Sequence, residues 1–349
     1  MHPTRGMVRC PAAPALAAAL NGSGITVATG AVEPRPGGAG VLVATTYLDL
    51  NGQPVGVAVA AGRAHTALAY ETVGAWSAVL RTRRVLVASG APCCVGAAAV
   101  LPGAREPVPA QGLRKPAGAR AGGAGCPRSQ AAWALVLAFQ QRGDTVLLVG
   151  GPEDAAAPGP SGRDPLPAEA WSRIVQVGTV DQAAALTVPD PRRLSFVVRP
   201  CVLVDWASQV VNALRERFAA LRGQHPDQWC YERSDLHRGA RLAAESSDLV
   251  LTVGGSGALA PSLERARHLT GLAQLDLPSL GAAATVAVIE EQPPAPTAHP
   301  ALAAADVVEV LSGLGPLSVV RHRVATEVST DVYRDQPGTV TLTGARSRS

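Results

Sequence analysis

The strongest constraint on this chain is the alternation of short β-branched runs with longer stretches of helical period. The runs Ile25 to Ala28, Val41 to Tyr47, Arg84 to Ala88, Thr145 to Val149, Ile174 to Val177, Ser195 to Val198, Leu249 to Val253 and Thr285 to Ile289 read as strands, most of them bounded by Gly, Pro or Asp. Between and beyond them, apolar residues return every three or four positions over Ser129 to Arg142, Trp206 to Leu221, Asp235 to Glu245, Ser262 to Leu269 and Ala301 to Ser312. In the second of these, Val210, Val211, Leu214 and Phe218 share one face and Arg215, Glu216 and Arg217 the other, as expected of a helix lying on a sheet. Strands that alternate with helices stack as α/β units with parallel or mixed sheets. The expected fold class is α/β.

Two stretches interrupt the pattern. Leu101 to Gly125 is dominated by Gly, Pro, Ala and Arg without apolar periodicity and reads as a linker. Gln292 to Pro300, QPPAPTAHP, holds prolines that forbid a helix interior. Arg334 to Ser349 reads as a polar tail, and the PAAPALAAAL run after Arg9 as a short helix rather than a leader.

Composition narrows the chemistry. The 349 residues carry 31 Lys and Arg against 27 Asp and Glu, a net charge of +4 that is no nucleic-acid signature. Aromatic residues are only 3%, so the core must be built from Ala, Val and Leu. Lys115 is the single lysine, which leaves almost no room for Schiff-base chemistry. No apolar run is long enough to suggest a membrane span. The six cysteines, at 10, 93, 94, 126, 201 and 230, lack the dense spacing of a disulfide scaffold, so a cytoplasmic protein is expected. Neither a GxSxG elbow nor a GxxxxGK[ST] loop is present.

Cys94, Cys126 and Cys230 each fall at an element boundary, where side chains of an α/β sheet face its crevice. Three thiolates converging from such loops hold a soft metal or an iron-sulfur cluster; buried packing cysteines are the alternative. Cys10 and Cys201 read as structural, Cys93 as a packed neighbour of Cys94, and His225 and His237 as exposed side chains flanking Cys230. The arginines Arg81, Arg83 and Arg84 read as a solvated strand entry.

One segment makes a family resemblance specific: GCPRSQAAWALVLAFQQRGDTVLLVGGPED, in which cysteine, helix, tight turn, strand and glycine loop follow in order. With NALRERFAALRGQHPDQWCYERSDLHRGARLAAESSDLVLTVGG and VLVASGAPCCVGA, it resembles the 4-hydroxy-3-methylbut-2-enyl diphosphate reductase family, called LytB or IspH, over about Arg81 to Asp335. The resemblance puts Cys94, Cys126 and Cys230 on the three ligand positions of a [4Fe-4S] cluster, and Gly96, Pro127 and Tyr231 on neighbouring motif residues. It implies three α/β modules around a central cavity, with residues 1–80 as an N-terminal extension, 81–127 as a truncated first module, and 128–225 and 226–333 as the second and third. It further implies reductive dehydroxylation of an allylic diphosphate to isopentenyl and dimethylallyl diphosphate, a step of isoprenoid precursor synthesis. An electron-donor protein such as ferredoxin or flavodoxin would be the partner.

The sequence departs from the family at defined places. Where the family carries histidine loops, no histidine lies between Cys94 and Cys126. An ungapped match puts Asp154 on a loop histidine and Ala156 on the catalytic glutamate, and Arg199, Pro200 and Cys201 replace a threonine-rich turn. The family's serine- and asparagine-rich phosphate loop becomes Gly254 to Leu259, in which Gly255, Ser256 and Gly257 are the candidate substrate residues. Its final small-residue loop becomes Glu290 and Glu291, two carboxylates that would repel a diphosphate. Two functions follow as expectations: the reductase itself, or a catalytically degenerate relative acting as a binding or regulatory protein.

Overall fold

In a computed structural model the chain divides into two compact units, one formed by Met1–Ser89, Leu236–Arg323 and Ser347–Ser349, the other by Gly90–Asp235 and Val324–Arg346. The structure describes residues 7–31, 40–90, 127–151, 166, 168–255, 259–291, 302–326 and 345–348. Cys93, Cys94, Cys126, Asp154, Ser256, Gly257 and the stretches 101–125 and 292–300 lie outside the described residues.

The first unit is built on a sheet ordered β12-β11-β3-β10-β8-β9, in which β3 is Arg83–Ser89, β8 Leu249–Gly254, β9 Ala266–Leu269, β10 Thr285–Glu291, β11 Leu317–Thr326 and β12 Ala345–Arg348. β3, β8, β9, β10 and β11 pair in parallel, with Val286 opposite Val85 on one side and Leu249 on the other. The central strands β3, β8 and β10 are buried along most of their length, as parallel strands covered on each side require. Val85, Val87, Leu251, Val253, Val286 and Val288 enter one core with Ala12, Leu16, Trp76, Val307 and Leu311. The intervening Leu86, Ala88, Val250, Ala287 and Ile289 enter the other with Ala240, Ala243 and Leu263. The period-two alternation of the strand assigns each side chain to its layer.

The first of these cores is covered by helices α1 (Ala13–Gly22), α2 (Thr66–Ala78) and α8 (Ala304–Ser312) and by the antiparallel hairpin β1 (Gly40–Leu48) and β2 (Pro54–Gly62). The polar turn of that hairpin closes on Asp49, whose Oδ1 accepts from the backbone N–H groups of Asn51 and Gln53, both at 2.8 Å. At Gly56 a side chain would strike the Thr45 carbonyl, so only glycine admits this close approach. The first unit is completed by helix α7 (Leu277–Ala282).

Arg83 departs from the solvated strand entry expected for it. Its side chain is buried, and its guanidinium donates to the carbonyls of Leu314 and Leu280, both at 2.8 Å, and of Val79. Burial, and next the neighbouring Arg81, bring its pKa down to about 10, so it remains cationic at neutral pH. Arg81 and Arg84 are exposed, as expected.

The second unit carries a parallel sheet ordered β5-β4-β6-β7, with β4 Thr145–Val149, β5 Ile174–Val177, β6 Leu194–Val198 and β7 Arg222–Gly223. Helix α3 (Pro127–Gln141) covers one face through Trp133, Val136 and Phe139, which meet Val146, Leu148 and Val197. On the opposite face lies α5 (Val204–Arg217), whose Val210, Val211 and Leu214 meet Leu147, Val149 and Phe196. The short α4 (Val180–Ala185) begins at Thr179, whose hydroxyl accepts from the Gln182 N–H at 3.1 Å. Asp144, buried at the entry to β4, accepts from Ser195 at 2.7 Å and Arg222 at 3.0 Å. Helix α6 (Glu232–Glu245) follows the segment that carries Cys230.

Seven of the eight expected strands and four of the five expected helices are present. Among the described residues Ile25 to Ala28 has no strand partner; Asn21 instead holds it, its Oδ1 accepting from Val27 N–H at 2.9 Å. Ser262 to Leu269, expected as a helix, ends in strand β9 beside β8. Arg265 stands at φ 60, a left-handed backbone through which a right-handed helix does not run.

Candidate functional site

The loop that carries Cys230 is fixed from both sides. A 3-10 turn, Pro226–Gln228, opens it, and Gln228 Oε1 accepts from His225 N–H at 3.1 Å. The buried Gln224 bridges it to the sheet, accepting from Val198 N–H at 3.0 Å and donating to the Gln228 carbonyl at 3.1 Å. Trp229, Cys230 and Tyr231 are all buried, and the Tyr231 hydroxyl donates to the Pro226 carbonyl at 3.2 Å. The Tyr231 carbonyl then accepts from Asp235 N–H at 2.8 Å, so Cys230 directly precedes the first turn of α6. The thiol therefore lies beside the partial positive charge of a helix N-terminus.

Arg128, two positions after Cys126, reaches this loop from the start of α3. Its guanidinium donates to the Trp229 carbonyl at 2.9 Å and also to the Asp227 carbonyl. The helix that follows the Cys-Pro pair is thereby tied to the backbone next to Cys230.

A second sulfur stands at this point. Cys201, in the turn between β6 and α5, has its Sγ 3.8 Å from that of Cys230. Its backbone is left-handed at φ 63, a conformation that non-glycine residues adopt at a cost. Two bonds hold the turn: Arg199 N–H donates to the Val149 carbonyl at 2.8 Å, and Val204 N–H to the Ser234 hydroxyl of α6 at 2.8 Å. The expectation of a merely structural Cys201 missed this neighbour. The available signal was its position in the turn where the resembled family has threonines.

Among the described residues no three His, Cys, Asp or Glu side chains gather as a metal site. Cys230 is the described member of the expected cysteine triad, and a buried thiol before a helix, with a second sulfur beside it, is a donor set suited to a soft metal. His225 is exposed and paired with Asp227, its Nδ1 2.7 Å from the carboxylate.

The glycine loop belongs to the first unit. Gly254 and Gly255 have φ values of 70 and 51, and a Cβ at Gly254 would lie 2.4 Å from the Glu291 carbonyl oxygen. Where the loop resumes, Leu259 N–H donates to Glu291 Oε1 at 3.0 Å, and this carboxylate is buried. Glu290 Oε1 accepts from Ala304 N–H at 3.3 Å, and Asp306 Oδ2 from Ala303 N–H at 2.9 Å, both at the start of α8. Backbone donors of the kind that bind phosphate at loop and helix starts are here satisfied by the chain's own carboxylates.

An α/β protein with a buried cysteine-tyrosine loop and a glycine loop after a parallel strand is the class these features define. The family model described as LytB protein matches residues 111–259, a span that includes Cys126, Cys230 and Gly255 but not Cys94. Over that span the chain is similar to the LytB family, at the low identity of a divergent relative. It is 36% identical over 97 residues to the 4-hydroxy-3-methylbut-2-enyl diphosphate reductase of Dechloromonas aromatica, covering 28% of this chain and 30% of that protein. It is 27% identical over 217 residues to the reductase 2 of Mycobacterium bovis, covering 58% and 61% of the two. The chain thus spans from about a third to three fifths of the length of these relatives. A solved diphosphate reductase from Plasmodium falciparum overlaps 56% of this chain and 62% of its own, with a TM-score of 0.44 and 17% identity. Among the described residues no helix is long and apolar enough to cross a membrane.

Proposed function

We propose that this chain is an iron-sulfur protein of isoprenoid precursor synthesis, holding a [4Fe-4S] cluster through Cys94, Cys126 and Cys230 and reducing 4-hydroxy-3-methylbut-2-enyl diphosphate. The observation that supports it most is the Cys230 loop, buried ahead of α6 and tied by Arg128 to the helix that follows the Cys-Pro motif. When bound, such a cluster supplies an open iron that is Lewis acid and electron donor together. The chain's own share is to hold the thiol of Cys230 dry and fixed, through Gln224, Tyr231 and Arg128. Asp154 is proposed as the proton donor at the position of the family's loop histidine. Gly255, Ser256 and Gly257 would face the substrate's diphosphate, and a ferredoxin or flavodoxin would deliver electrons.

The glutamates favour a second reading. Because Glu291 and Glu290 occupy the donors of Leu259 and Ala304, a diphosphate arriving there must displace or repel two carboxylates. A relative that keeps the scaffold and binds or regulates without turnover fits that arrangement.

Anaerobic purification or reconstitution separates these readings. A brown protein with about four irons per chain, reduced in each of Cys94→Ser, Cys126→Ser and Cys230→Ser, is the expected result. A colourless protein that takes up no iron removes the reductase and leaves the degenerate relative. Iron without turnover of the diphosphate removes the reductase and keeps the degenerate relative.

A further inference from the structure

We propose that Cys201 and Cys230 form a reversible disulfide that takes Cys230 out of the ligand set, a redox modification site whose consequence for iron rests on the function proposed above. The two sulfurs stand 3.8 Å apart across 29 positions of sequence. Bonding at about 2.05 Å asks each side chain to move by roughly an ångström, within reach of a small change in side-chain torsion.

The pair is also set up unequally. Cys230 is 5% exposed, whereas Cys201 is half-buried and therefore reachable from solvent. The left-handed backbone at Cys201 is fixed by the β6 end on one side and by Ser234 on the other, and Ser234 belongs to the helix that follows Cys230. The turn and the Cys230 segment are thus held together independently of the sulfurs.

The chemistry is thiol-disulfide exchange with a low-molecular-weight disulfide, RSSR, as the oxidant. The thiolate of Cys201 attacks one sulfur of RSSR, forming a mixed disulfide and releasing RSH. The sulfur of Cys230 then displaces the second RSH, and the protein disulfide forms. Two thiol protons leave with the two RSH, and two electrons pass to the reagent. Excess RSH reverses both steps. Cys230 cannot ligate iron while it is oxidised.

The test uses the full-length chain, metal-free and anaerobic, incubated with oxidised glutathione, quenched by alkylation and mapped by mass spectrometry without reduction. The expected product is a Cys201–Cys230 linked peptide, abolished in Cys201→Ser and reversed by reduced glutathione. If the two cysteines are instead alkylated separately, carry glutathione individually or link to other cysteines, the proposal fails, and the wild-type map decides this even if a variant misfolds. A second arm reconstitutes iron before oxidation. Protection of Cys230 from linkage is expected; a linked peptide that forms equally with and without iron treatment would refute the cluster reading while leaving the disulfide standing.

Discussion

The Cys230 loop of the second unit and the glycine loop of the first offer opposite kinds of chemistry. Around Cys230 the backbone is satisfied by Gln224, Gln228 and Arg128, while two sulfurs stand side by side. At the glycine loop the donors that would recognise an anion are taken by Glu291, Glu290 and Asp306. One region presents its reactive atoms; the other satisfies its own. A soft-metal site needs a few sulfurs, whereas an anion seat needs donors left open and the absence of nearby negative charge.

The largest expected effect separates scaffold from chemistry. Arg83→Met removes a buried cation from the carbonyls of Val79, Leu280 and Leu314 and leaves them without those bonds. The first unit should lose about 3 kcal/mol, read as a lower urea midpoint, while the iron content of folded protein stays at the wild-type value. A loss of iron in fully folded Arg83→Met would show that the two regions are not chemically separate.

Next in size is the combined change Glu290→Gln and Glu291→Gln, which keeps acceptor oxygens on Ala304 and Leu259 but removes both charges. Affinity for inorganic pyrophosphate, measured by calorimetry, should rise about tenfold, equal to roughly 1.4 kcal/mol. No change would mean that the carboxylates do not oppose an anion there. Smaller again is Arg128→Met, which frees the Cys230 loop from two carbonyl bonds. A cost of about 1 kcal/mol is expected, with a measurable fall in iron uptake on reconstitution and little change at the glycine loop.

The sequence made the strands of both cores legible because buried parallel strands are near-continuous apolar runs; β4 and β5 carry the expected bounds. It hid β2, whose PVGVAVAAG run has no partner until β1 supplies one, and β9, whose helical spacing yields to pairing with β8. The Cys230 loop was legible from its local motif. Its contact with Cys201 was not, since nothing local records a neighbour 29 positions away. The same holds for Glu290 and Glu291: their charge was visible, but not the N–H groups they would satisfy. Arg83 was misread because a cation at a strand entry is usually solvated, and only the convergence of three carbonyl-bearing segments reveals the exception.

The smallest effect concerns acid. In the first unit Asp248 Oδ2 accepts from the backbone N–H groups of Thr285 and Ala284, both at 2.9 Å, and these bonds, Thr285 first, hold its pKa below the usual carboxylate range. Asp276, at the start of α7, is likewise held low, chiefly by the Ser279 hydroxyl, which outweighs the opposing cost of burial with further help from Arg267. A carboxylate whose folded pKa lies below its unfolded value contributes stability that is fully present above the unfolded value, about 3.9. That contribution is lost as pH falls through the folded value, when protonation weakens the bonds. Between about pH 5 and pH 2, segment-resolved hydrogen exchange should therefore show protection falling around Thr285 and Ser279, and Asp248→Asn with Asp276→Asn should flatten that fall. If the double variant loses protection at these segments as steeply as the wild type, these two carboxylates are not the acid-sensitive groups of the first unit.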